Sequence, residues 1–221
     1  MTLLIPVMAA GSLNLVKIGD LQTGGWHTWL AFQNPFLFVA FVCYFIASLA
    51  SCKRAPFDLP EAESELVAGF LTEYSGIRWS MFFFAEYAAM FVVSGLATVL
   101  FLGAWHSPIP ACWGSSLAGG PLWKQAIHGM LFSGPLWFIA KSMFLIYVQI
   151  WLRWTLPRVR IDQVLYACVQ VLLPLAMVLL LGNTLWQLWV VPGGAVAVAA
   201  NILMSLVGAV FVAGFIVIMM Y

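Results

Sequence analysis

The sequence has little charge. Asp, Glu, Lys and Arg make up 8% of its 221 residues, against 64% hydrophobic, and the mean hydropathy is +1.01. So little polar surface cannot clothe a soluble globule of this length. The net charge is +1, and no basic stripe is interleaved with exposed aromatics, so nothing points to nucleic acid. Cysteine is sparse and scattered: Cys43, Cys52, Cys112 and Cys168 form no Cys-x-x-Cys and have no histidine nearby. That argues against an iron–sulfur or zinc centre. His27, His106 and His128 all fall outside the apolar runs, which disfavours a haem ligated by paired intramembrane histidines. No glycine-rich phosphate loop or nucleophile motif is present. The expectation is that this chain binds no cofactor and that any redox centre sits elsewhere.

What the sequence does have is long apolar runs, of about 17 to 27 residues, suited to helices of about 1.5 Å rise crossing a hydrocarbon core of about 30 Å. Nothing alternates with the period of a barrel strand. The prediction is an all-α, polytopic transmembrane helix bundle, a single domain over 1–221, with about six spans: 2–16, 36–51, 79–105, 129–151, 164–190 and 196–220. The first is short, lacks a basic leader and a small-residue cleavage site, and reads as the tail of a longer helix rather than a signal peptide. Pro135 and Pro174 fall within spans, where neighbouring helices can satisfy the freed backbone groups.

Between spans two and three lies a long loop, 52–78. It shares its side with 152–163, and together they carry Lys53, Arg54, Arg78, Arg153, Arg158 and Arg160. The opposite side carries Lys17 and Lys124. The positive-inside rule places the 52–78 loop in the cytoplasm. Trp26, Trp29, Trp105, Trp113 and Trp123 then populate the outer interface.

Six of the eight carboxylates fall between Asp58 and Glu86. Asp58, with Pro60 and Glu61 following, has the pattern of a helix start. On that helix Asp58, Glu61 and Glu65 share one face, while Glu63 points elsewhere. Like charges on one face raise one another's pKa, so such a row can hold and pass protons near neutral pH. Lys53, Arg54 and Arg78 offset part of the charge. The plainer alternative is a solvated loop kept in water by its acids; against it, Phe57, Leu59, Leu66, Val67 and Phe70 lie in the same segment.

Glu86 and Lys141 stand inside the third and fourth spans, where an ionised group costs about 2.5–3.5 kcal/mol or more. They pair with each other, with backbone carbonyls or with another polypeptide of an assembly. The alternatives are a place on a proton path and an ion pair that only fixes helix register. Asp162, beside Arg158 and Arg160, anchors the start of span five.

The run Arg54-Ala-Pro-Phe-Asp-Leu-Pro-Glu-Ala-Glu-Ser-Glu-Leu66, followed by Glu73-Tyr-Ser-Gly-Ile-Arg78, closely resembles the signature of the H subunit of respiratory complex I, a membrane component of the NADH-quinone oxidoreductase. Phe83-Phe84-Ala85-Glu86-Tyr87 and Trp151-Leu-Arg-Trp-Thr-Leu-Pro-Arg-Val-Arg-Ile-Asp-Gln163 match as well. The resemblance implies a subunit without a redox centre that helps form the quinone chamber and couples quinone reduction to proton translocation. By the same resemblance Arg54, Phe57, Asp58 and Arg78 face the quinone. Asp58, Glu61, Glu63, Glu65, Glu73, Glu86 and Lys141 then form the proton path. It also implies quinone as substrate, FMN and iron–sulfur clusters in partner subunits, a cluster-bearing peripheral arm and antiporter-like subunits as partners, and a bacterial inner membrane as location. Members of this family usually carry a longer N-terminal part, and span 196–220 lies beyond their usual end. Two other readings stay open: the membrane subunit of a related energy-converting hydrogenase or dehydrogenase, and a stand-alone proton or cation transporter.

Overall fold

The computed structural model describes residues 1–54, 56–57, 73–109, 133–157 and 159–189. Among them every regular element is helical. Two short helices, α1 (Leu4–Ala10) and α2 (Leu15–Asp20), are followed by a 3₁₀ turn at Trp26–Thr28 and the single turn α3 (Leu30–Gln33). Four longer elements follow: α4 (Pro35–Ser51), α5 (Ile77–Phe101), α6 (Gly134–Thr155) and α7. The last runs from Ile161–Tyr166 through a π-helical stretch, Ala167–Leu172, into Leu173–Trp189.

Four expected spans therefore appear within a few residues of their expected limits. Three of them, α5, α6 and α7, are long and apolar enough to cross a membrane, and α4 is a shorter apolar helix. The run 2–16 differs from expectation. It breaks at Gly11, whose left-handed φ of 62° ends α1, and Asn14 starts α2 afresh by accepting from the Val16 N–H. The run 196–220 lies outside the described residues.

Local chemistry sets the boundaries. Pro35 and Pro135 sit in the first turns of α4 and α6, where a missing N–H costs nothing. The π stretch in α7 lies just ahead of Pro174, which has no N–H to give to the preceding turn, so the widened turn absorbs the mismatch. Helix α5 ends in a left-handed turn at Gly103 (φ 74°) and Ala104 (φ 44°), with the N–H groups of Leu102 and Ala104 both reaching the Thr98 carbonyl. Gly103 could be nothing larger, since a Cβ there would collide with the Trp29 indole.

In the packing, α5 lies along α6, α4 lies between α5 and α7, and α1 rests on α7. Ile5, Ile18, Leu37, Phe101, Leu145 and Leu179 meet in the shared core. The outward faces are apolar: Phe84, Val92, Phe144, Trp154 and Leu188 are all exposed, as lipid-facing or subunit-facing positions of a membrane bundle are. The segment 18–33 folds back against the end of α5. Its centre is Gln22, fully buried, whose amide donates to the carbonyls of Ile18 and Val99 and accepts from the N–H groups of Leu30 and Gly103. This amide is fully satisfied and ties three pieces of chain together.

Candidate functional site

The site begins where α4 stops. Lys53 takes a left-handed φ of 51°, a conformation that costs a non-glycine residue about 1–2 kcal/mol and that reverses the chain direction. Arg54, the next residue, is carried inward and is 3% exposed. Its Nη2 lies 3.1 Å from Glu86 Oε2 on α5, and its guanidinium sits 4.8 Å from the Tyr87 ring centroid. Cation–π contact and ion pairing thus act on the same guanidinium. The pair is close but not aligned as a hydrogen bond: Arg54 Nε and Nη2 and Glu86 Oε2 are buried without a hydrogen-bond partner. Buried charges with unfilled hydrogen-bonding capacity are the sites where water or a ligand settles.

The chain then turns back to the other loop on this side. The Phe57 N–H reaches the Arg54 carbonyl at 2.9 Å, and the Val159 N–H reaches the Pro56 carbonyl at 3.1 Å. The two loops assigned to one side from their basic residues are therefore in contact, at Pro56 and Val159. Glu73 and Arg78 line an open depression with Tyr74, Ser75 and Ile77, at the start of α5. Asp58, Glu61, Glu63 and Glu65 lie outside the described residues, as do the expected helix start at Asp58 and Arg158 beside Asp162.

Glu86 and Lys141 do not pair. Lys141 instead donates to three backbone carbonyls just past the end of α5, those of Leu102 (2.6 Å), His106 (2.7 Å) and Ala104 (3.3 Å). Its ammonium lies 4.4 Å from the Trp29 ring centroid. Glu86 and Leu102 are sixteen positions apart, so the two charges stand about 24 Å from one another along α5. A cation at a helix C-terminus complements the macrodipole, and here all three N–H donors find oxygens.

Between these ends runs a set of polar side chains that sequence reading missed. Ser94, Thr98, Ser142 and Gln149 are all essentially inaccessible, in the seam where α5 and α6 meet. The Gln149 amide donates to Ser94 Oγ at 3.3 Å, and Thr98 Oγ1 lies 3.4 Å from Ser142 Oγ. The signal was available as spacing. Glu86, Ser94 and Thr98 repeat at multiples of four, as do Lys141, Leu145 and Gln149, so each set lies on one helical face. Serine and threonine in an apolar run attract less notice than a carboxylate.

At the Lys141 end, His106 Nε2 approaches Asp20 Oδ1 at 3.8 Å, too long for a hydrogen bond. Burial pushes the His106 pKa down, Asp20 pulls it up less strongly, and the Lys141 charge lowers it further. The imidazole is therefore neutral at neutral pH. Among the described residues no three His, Cys, Asp or Glu side chains group as metal ligands.

The family described as NADH dehydrogenase matches residues 1–184. The H subunit of NADH-quinone oxidoreductase from Chlorobium luteolum is 47% identical over 194 residues, which cover 85% of this chain and 49% of the relative. Its counterpart in Anaeromyxobacter dehalogenans is 42% identical over 220 residues, 97% of this chain and 52% of the relative. The counterpart in Helicobacter pylori strain G27 is 40% identical over 177 residues, 80% and 46% respectively. This chain spans about half the length of the curated relatives it matches. The Anaeromyxobacter match extends through nearly the whole chain, so most of the segment 196–220, expected to lie beyond the family's end, has a counterpart in at least that relative.

Proposed function

Because the chain belongs to the NADH dehydrogenase family, we propose that it is the membrane subunit of a proton-translocating NADH-quinone oxidoreductase, forming part of the quinone chamber and of the acidic path leading from it. The observation that carries this reading is the Arg54–Glu86 pair. A buried guanidinium and carboxylate, with unfilled hydrogen-bonding capacity on both, stand where the acidic loop meets the membrane helices. A charge change nearby alters the balance between such groups, which is the physical requirement for coupling.

In this reading Arg54, Phe57, Asp58 and Arg78 face the quinone. Asp58, Glu61, Glu63, Glu65 and Glu73 take up and pass protons, Glu86 receives them between two and three turns into α5, and Lys141 stands at the far end of the same helix pair. Electrons reach the quinone from FMN and iron–sulfur clusters in a peripheral arm, and antiporter-like subunits receive the coupled change. The acidic loop faces the cytoplasm, and the membrane is the bacterial inner membrane. The proline-rich acidic signature, with no histidine among its carboxylates, favours this reading over a hydrogenase relative. A stand-alone transporter built on repeated halves finds no internal repeat to support it.

The test is Glu61→Gln and Glu65→Gln in the assembled complex. Each is expected to lower quinone-linked proton translocation while the complex still assembles. Wild-type pumping and quinone reduction in both variants would refute the assigned role. Co-purification of nicotinamide-oxidising and cluster-bearing subunits is expected, whereas a nickel-bearing partner would point to the hydrogenase alternative.

A further inference from the structure

The seam between α5 and α6 holds a line of oxygens with an unusual terminus. Glu86, Met90, Ser94 and Thr98 fall on one face of α5, and all but Glu86 are at most 2% exposed. From α6, Gln149 joins the line at Ser94 and Ser142 joins it at Thr98. The hydroxyls of Thr98 and Ser142 each donate to their own helix, to the Ser94 carbonyl and the Phe138 carbonyl, both at 2.8 Å. Their lone pairs stay free to accept. Gln149, 1% exposed, has an Oε1 with no partner, and Glu86 Oε2 at the head of the line has no hydrogen-bond partner either. Unpartnered buried acceptors at two levels of one polar seam are the signature of bound water.

A hydrated line of hydroxyls conducts protons. Each bound water accepts a proton from one side and releases its own to the other, leaving the line with its dipoles reversed and no residue changed in charge. The Thr98 and Ser142 hydroxyls, whose own protons lie on backbone carbonyls, accept from the waters and hold them in place. Such a line leaks unless something stops it. Ser142 is followed towards the far end by Lys141, then by the His106 imidazole and Asp20, whose side chain is largely exposed. At that point the structure places a fixed ammonium, 8% exposed as a residue, with its three N–H groups on three carbonyls. An ammonium has no lone pair to accept a proton. Its charge, held in a low-dielectric seam, repels a hydrated proton, as a fixed cation does in pores that pass water and exclude protons.

We propose that Lys141 is an electrostatic plug: pinned on the carbonyls that end α5, it closes the buried line Gln149, Ser94, Thr98, Ser142 to protons at the end remote from Arg54 and Glu86. This rests on Glu86 lying on a proton path and adds why that path does not short-circuit the membrane. Met90, flexible and apolar between Glu86 and Ser94, is the place where water must pass to wet the line.

The experiment uses the assembled complex in sealed lipid vesicles with no electron donor, so that turnover plays no part. A pH gradient is imposed and its decay is followed with an entrapped pH-sensitive dye. Lys141→Gln keeps two donors for the carbonyls and removes the charge; its vesicles are expected to lose the gradient severalfold faster than wild type. Lys141→Arg keeps the charge and is expected to be as tight as wild type. Adding Thr98→Val to Lys141→Gln interrupts the line at nearly constant shape and is expected to restore tightness. Lys141→Gln vesicles as tight as Lys141→Arg vesicles would overturn the proposal, and so would a leak that Thr98→Val leaves unchanged. If Lys141→Gln does not assemble, Lys141→Met is read by the same two comparisons. Pumping by Glu86→Gln, measured separately under turnover, tells failure of the plug from failure of the proton-path reading: Glu86→Gln vesicles that pump normally refute the latter, whatever the leak shows.

Discussion

Arg54 and Glu86 should behave as one thermodynamic unit. Charges 3.1 Å apart attract by about 5 kcal/mol at an effective dielectric of about 20, and burial has already cost each of them a comparable desolvation. The net worth of the pair is therefore small, while the cost of breaking it is large. Removing one partner, by Arg54→Leu or Glu86→Leu, leaves the other charge buried and is expected to destabilise by about 3–5 kcal/mol. Arg54 also gives up its contact with Tyr87, so its substitution is expected to be the worse of the two. Replacing both together removes the stranded charge, and the double variant is expected to be less destabilised than the sum of the single variants by about 2–3 kcal/mol. For a chain of this size a loss of 3–5 kcal/mol corresponds to a midpoint lower by about 6–20 °C. Thermal unfolding of the purified protein in detergent, followed by tryptophan fluorescence, reads all four corners of the cycle. Single variants within about 0.5 kcal/mol of wild type, or a double variant equal to the sum, would refute the coupling.

Two further outcomes follow from the far end of α5. Gly103→Ala places a Cβ into the Trp29 indole at a φ of 74°, and is expected to cost more than the roughly 1 kcal/mol of the backbone strain alone; a melting temperature unchanged from wild type would contradict the packing. His106 has its folded-state pKa lowered by burial, so it binds protons more weakly folded than unfolded. Its contribution is intact above the ordinary histidine value of about 6.5 and is lost as pH falls from there through the depressed folded value. Melting temperature plotted against pH is expected to fall less steeply in His106→Gln than in wild type below about pH 6.5, and parallel curves would remove His106 from the account.

The sequence by itself determined that this is an all-α membrane bundle, because charge scarcity and run length leave no soluble or barrel alternative. It also located four of the helices, three of them long and apolar enough to cross a membrane, and the positions where free energy is at stake, Arg54, Glu86 and Lys141. An ionisable residue in an apolar run is conspicuous without coordinates, since its cost depends only on its surroundings being apolar. What that residue pairs with depends on geometry brought together by the fold. Sequence offered Glu86 and Lys141 three kinds of partner, one another, backbone carbonyls or another polypeptide; packing gave Glu86 to Arg54, one residue past the left-handed turn at Lys53, and gave Lys141 to three carbonyls just past the end of α5. The break at Gly11 was equally hidden, because hydropathy sums over residues and does not register one left-handed φ. Gln22, Ser94, Thr98, Ser142 and Gln149 were hidden for a further reason. An uncharged polar side chain costs less than a charge to place in an apolar run and becomes meaningful only when another helix closes over it, and which helix closes over it is settled by tertiary packing alone.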